Sequence, residues 1–93
     1  MNVMDIETVI QKVTSICKKN GVEHLKLFGS YATKTNTVTS DIDFVVYGCN
    51  DVDKLEHDIA QIETLHKIDI FYGEEIYNKY LLEDIRLYGK QIY

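Results

Sequence analysis

Three aspartates stand where strands are expected. DIDFVV at 41–46 alternates Asp41 and Asp43 with Ile42 and Phe44, and KIDIFY at 67–72 sets Asp69 between Ile68 and Ile70. Such alternation is the period of a strand with one buried face. Asp is nevertheless depleted in strands. A fold that reconciles the two is a sheet packed on a core through one face, with carboxylates on the other. Ile42, Phe44 and Val46 share the first face of this strand, and Asp41, Asp43, Val45 and Tyr47 share the second.

Residues two apart on a strand are separated by about 6.5–7 Å on the same face. Asp41 and Asp43 can therefore hold one magnesium ion together, or help to bridge two. Magnesium takes hard oxygen ligands, commonly one or two carboxylates plus substrate phosphates. If the two strands are neighbours, Asp69 joins the pair. Three carboxylates on one face repel strongly unless a cation sits among them. Upstream, Gly29-Ser30 follows a short apolar strand, HLKLF, and precedes Asp41 by ten residues. Glycine lets a backbone approach a ligand closely, and a helix opening at Ser30 would present N–H groups to a phosphate. Taken alone, Gly-Ser is equally a turn with Ser30 as N-cap.

Periodicity predicts the remaining elements. Ile6, Val9, Ile10, Val13, Ile16 and Cys17 form one stripe of a helix over 5–19. Lys18 and Lys19 suit its last turn, and Asn20-Gly21 supplies the stop. Strands are expected at 24–28, 41–47 and 67–72, a brief helix at 30–35 and a polar loop at 35–40. A helix over 52–65 carries Val52, Leu55, Ile59 and Ile62, and a last helix over 74–88 turns Tyr77, Leu81, Ile85 and Tyr88 inward. Ile92 and Tyr93 are expected to dock back on the body or to frame a partner surface. The order gives a small sheet of about three strands covered by helices, in the α/β or α+β class. At 93 residues the expectation is a single domain over 1–93 with one modest core.

Composition narrows the function. A formal net charge of −5 argues against a broad DNA or RNA footprint, which is usually basic. No apolar run reaches membrane-span length, and the acidic start MNVMDIETVI is not expected to be a signal peptide. Cys17 and Cys49 have neither zinc-knuckle nor disulfide-framework spacing, which suits two reduced thiols in a cytoplasmic protein.

The run from Leu27 to Val46, LFGSYATKTNTVTSDIDFVV, resembles the signature of the DNA-polymerase-β-like nucleotidyltransferase superfamily. Within it the chain is similar to the minimal nucleotidyltransferases, or MNT type. These are short domains often paired with a HEPN-domain partner as toxin and antitoxin. Asp69 in KIDIFY stands where that family places its third carboxylate, and LLEDIRLYGKQIY resembles its C-terminal ending. The resemblance implies that Gly29, Ser30 and Lys34 bind the nucleotide's phosphates and that Asp41, Asp43 and Asp69 bind magnesium and serve catalysis. It implies a polymerase-β-like fold, ATP as substrate, and transfer of AMP to a protein hydroxyl, above all a tyrosine of a HEPN toxin. In that reading the chain is a type VII-like antitoxin in a hetero-oligomer with its partner. Where the family often has arginine, alanine, arginine and glycine after Gly-Ser, this chain has Tyr31, Ala32, Thr33 and Lys34. Two cations are thus absent, with Lys34 or Lys26 as substitutes. The alternative is an antitoxin of the same fold with little catalysis, which neutralises its partner by contact. Tyr77, Tyr80, Tyr88 and Tyr93 suit such an interface.

Overall fold

The computed structural model describes residues 6–29 and 41–93. The first helix, α1 (Ile6–Lys19), buries Val9, Val13 and Cys17 along one stripe. It closes as its composition requires: Gly21 takes a φ of 75°, and the Val22 N–H reaches back to the Cys17 carbonyl at 3.0 Å. That left-handed closure satisfies carbonyls which the helix end leaves orphaned.

Strand β1 (His24–Phe28) is followed by β2 (Ile42–Tyr47), α2 (Val52–Ala60) and β3 (Ile68–Tyr72). A short 3-10 turn (Gly73–Glu75), α3 (Lys79–Tyr88) and β4 (Lys90–Gln91) complete the order. The sheet runs β3-β2-β1-β4. β2 pairs antiparallel with β1 and parallel with β3, whereas β4 pairs antiparallel with β1. The fold is thus a mixed four-stranded sheet packed with three described helices, one strand more than the apolar pattern predicts.

The core lies between one sheet face and helices α1 and α2. Leu25, Leu27, Ile42, Phe44 and Val46 meet Val9, Val13, Cys17, Leu55 and Ile59 there. Ile68, Ile70 and Tyr72 of β3 pack against its margin. Polar ties fix the two helices. Asn20 Nδ2 donates to Asp58 Oδ2 at 3.0 Å, and Lys54 Nζ donates to Asn20 Oδ1 and Asp58 Oδ2. Cys17 is sealed in this core, and burial pushes its thiol up to about 12, far from the reactive thiolate form. Ile92 and Tyr93 do dock back. The Ile92 N–H donates to the Leu25 carbonyl, the Tyr93 hydroxyl donates to the Val22 carbonyl, and Lys18 Nζ sits 5.0 Å from the Tyr93 ring centre.

Two helices differ from expectation. α2 ends at Ala60, where Gln61 and Ile62 turn back to Asp58 and Ile59 by three-residue hydrogen bonds. Ile62 still reaches the core from beyond the helix end. The last helix begins five residues late because Asn78 caps it, accepting from the Tyr80 and Leu81 N–H groups. With the preceding residues held in the 3-10 turn, the inward face shifts. Ile85 is buried and Leu81 half-buried, but Tyr77 and Tyr88 are 85% and 58% exposed rather than inward. The expected helix at 30–35 and loop at 35–40, with Ser30, Tyr31, Thr33 and Lys34, lie outside the described residues. Among the described residues, no helix is long and apolar enough to cross a membrane.

Candidate active site

The parallel pairing of β2 and β3 places Asp43 directly opposite Asp69. Neighbouring strands lie about 4.8 Å apart, so strand alternation brings the two carboxyls together on the face away from the core. Asp43 is pushed up to about 6, first by burial, then by repulsion from Asp69 and Asp41 and by a hydrogen bond to Asp69 from its protonated form. Lys67 opposes these effects, and its Nζ lies 3.7 Å from Asp69 Oδ1. Asp41, one residue before β2, is exposed and acts on Asp43 from the rim.

Gly29 completes this side of the site. It follows β1 with a φ of 79°, a backbone state that side chains rarely adopt. A Cβ here would collide with Asp43 Oδ2. The glycine therefore makes room for a carboxylate, and two features ten residues apart in the sequence become one cradle.

Two aromatic residues share the sheet face of that carboxylate. Phe28 is the register partner of Asp43 on β1, and Phe71 stands two residues beyond Asp69 on β3. Their rings meet edge to face across β2, 5.3 Å between centres at 73°. Val45, two residues after Asp43 on the same strand, is fully buried although it faces away from the main core. Phe28, Phe71 and Lys67 escaped the sequence reasoning. Their signal was their parity: each alternates with core residues and shares a face with an aspartate.

The expected trio is thus divided into a close pair and a rim residue. Among the described residues, no three His, Cys, Asp or Glu side chains are arranged as a ready metal-ligand set. The two facing carboxyls nevertheless fit magnesium. They are hard oxygen donors in mutual repulsion that a cation would relieve, and substrate phosphates ordinarily supply further ligands. An open cavity of about 370 Å³ borders Asp69 beside the free edge of β3, with Glu56, His66 and Ile70 on its walls. A larger one, about 730 Å³, lies between α1 and the end of α2, away from the carboxylates.

The family described as Polymerase beta, Nucleotidyltransferase matches residues 11–93, which include every element of the sheet and all of the candidate site. The chain belongs to this nucleotidyltransferase family. The fold agrees with solved structures. A toxin–antitoxin crystal structure with AMP-PNP is 22% identical, with a TM-score of 0.65 over 89% of this chain and 71% of that one. A mutant of the toxin–antitoxin pair MntA–HpeT, in which two aspartates two positions apart are replaced by glutamate, is 22% identical with a TM-score of 0.70 over the same shares. A second MntA–HpeT mutant, with a tyrosine replaced by alanine, is 23% identical with a TM-score of 0.69 over 90% of this chain and 71% of that one. No match was found among curated proteins.

Proposed function

We propose that this nucleotidyltransferase, as a single catalytic domain over 1–93, transfers AMP from ATP to a protein hydroxyl, a tyrosine of a cognate HEPN toxin, and so acts as an antitoxin in the cytoplasm. The observation that carries the reading is the Asp43–Asp69 pair, held face to face by register with Gly29 against Asp43. Toxin–antitoxin assemblies among proteins of the same fold, one with an ATP analogue, support the partner and the nucleotide.

Asp43 and Asp69, with Asp41 at the rim, would hold magnesium, which when bound neutralises phosphate charge and polarises the reacting oxygens. Gly29, Ser30 and Lys34 would seat the phosphate chain. The acceptor oxygen forms a bond to the α-phosphorus, the bond from that phosphorus to the bridging oxygen of the β-phosphate breaks, and pyrophosphate leaves. Asp69 takes the proton of the acceptor hydroxyl. Positioning and charge neutralisation supply most of the rate, as in phosphoryl transfer generally. An added AMP brings charge and bulk to the acceptor and would block a site around it.

The test is incubation with labelled ATP, magnesium and the partner. Transfer by the wild type, lost in Asp41→Ala plus Asp43→Ala, is expected. Tight complex formation without transfer would overturn the enzymatic reading in favour of neutralisation by contact. That second reading draws on Tyr77 and Tyr80, both more than 80% exposed, and on Leu87 and Tyr88 beside them.

A further inference from the structure

We propose that Lys67 is a nucleotide-contacting residue of this site, supplying to the phosphate chain a positive charge in place of the cations absent at Tyr31 and Thr33. The inference rests on the nucleotidyltransferase reading above and assigns to it a residue outside the glycine–serine and Asp-x-Asp motifs.

Placement is the first argument. The Lys67 carbonyl accepts the Ile42 N–H at 2.8 Å, so its backbone is fixed at the mouth of the parallel β2–β3 pair. Continuing the register by one residue sets Lys67 opposite Asp41. Alternation puts its side chain on the face of Asp43 and Asp69, and its Nζ already lies 3.7 Å from Asp69. A lysine held there by its backbone carries its charge to the acids on a long flexible stem.

Freedom to move is the second. The side chain is 71% exposed, and its contact with Asp69 is long and single. Such an exposed pair contributes little and is readily exchanged for a stronger partner. Once a cation neutralises the carboxylates, Asp69 no longer needs Lys67, and the ammonium can turn to phosphate oxygens. Its influence on Asp43 shows that its field already reaches the carboxyl pair.

Among the described residues, the other candidate cation, Lys26, is otherwise engaged. Lys26 shares this face by alternation, but it pairs with Val45 rather than with an acid. Its Nζ lies over the Tyr47 ring, 5.7 Å from the centre, farther along the sheet from Asp43. Among the described residues, Lys67 is the cation in ion-pair contact with the carboxylate pair.

Calorimetric titration of the full chain with ATP, AMP-PNP and AMP, each with magnesium, tests the assignment without relying on turnover. A hydrogen bond to a charged group contributes about 1.5–3 kcal/mol, so Lys67→Gln should weaken ATP and AMP-PNP roughly ten- to hundredfold. AMP, with one phosphate, should weaken only a few-fold. Lys67→Arg should retain most of the affinity, and Lys67→Gln should flatten the dependence of ATP affinity on salt. Lys90→Gln on β4 is the control and should bind like wild type. Unchanged ATP affinity in Lys67→Gln, with wild-type binding intact, overturns the role of Lys67 alone. Equal weakening of AMP and ATP with a lowered melting temperature also overturns it, in favour of a structural role. A wild type that binds no nucleotide with magnesium overturns the nucleotidyltransferase reading and this inference with it.

Discussion

The two faces of β2 are built from the same six residues and obey different rules. On one, Ile42, Phe44 and Val46 are fully buried against α1 and α2. On the other, Val45 is equally buried, yet Asp43 beside it is a carboxyl set against a second carboxyl. The first face contributes stability by removing apolar surface from water. The second gives up stability to keep two like charges in register. The lesson is that the site is not a patch of solvated surface. It lies at the rim of a small apolar layer made by Phe28, Phe71 and Val45, where an unneutralised charge is unwelcome and a cation is correspondingly favoured.

The contrast can be broken from the core side first. Phe44→Ala should cost about 3–5 kcal/mol by transfer and cavity terms, read as a lowered urea midpoint with loss of transfer through unfolding. Next, Gly29→Ala should cost about 1–3 kcal/mol through its left-handed backbone. It should also push Asp43 from Asp69, so nucleotide affinity should fall more than melting temperature does.

Removing the like charge should act with the opposite sign. Asp43→Asn should abolish transfer yet raise stability in metal-free buffer at neutral pH by about 1 kcal/mol, after discounting for solvent screening. If it destabilises instead, the two faces do not differ as argued.

The same contrast sets a pH dependence. Asp43 holds its proton more tightly folded, at about 6, than at its ordinary 3.8. Its contribution is thus complete below about 3.8 and lost as pH rises through about 6. Without divalent cations the melting temperature should decline across that window relative to Asp43→Asn, and magnesium should restore it at the upper end. The smallest effect belongs to the exposed tyrosines. Tyr80→Ser should leave stability within about 0.5 kcal/mol, while reducing capture of the proposed toxin partner if that helix forms the interface.

Much of this was legible in the chain. α1, β1, β2 and β3 follow from clean apolar periods, and the three aspartates stood out because they interrupt those periods. Their spacing could not show the pairing of β2 with β3, since a parallel neighbour is chosen by the crossover through α2 rather than by any local pattern. β4 escaped because Lys90–Gln91 is too short to carry a period. The start of α3 was misplaced because the apolar stripe was extended past Asn78, whose capping side chain marks the true beginning. Phe28 and Phe71 pass as ordinary strand residues until the register lays one ring against the other across β2.

The crossover has a kinetic consequence. Asp43 and Asp69 are 26 positions apart, and their strands are expected to align once the intervening helix has docked on the core. Non-local parallel pairing of this kind forms late. A divalent cation held by the two carboxylates would therefore act mainly on the finished structure, slowing unfolding far more than it speeds folding. The cation proposed for this site would then also set the lifetime of the folded chain.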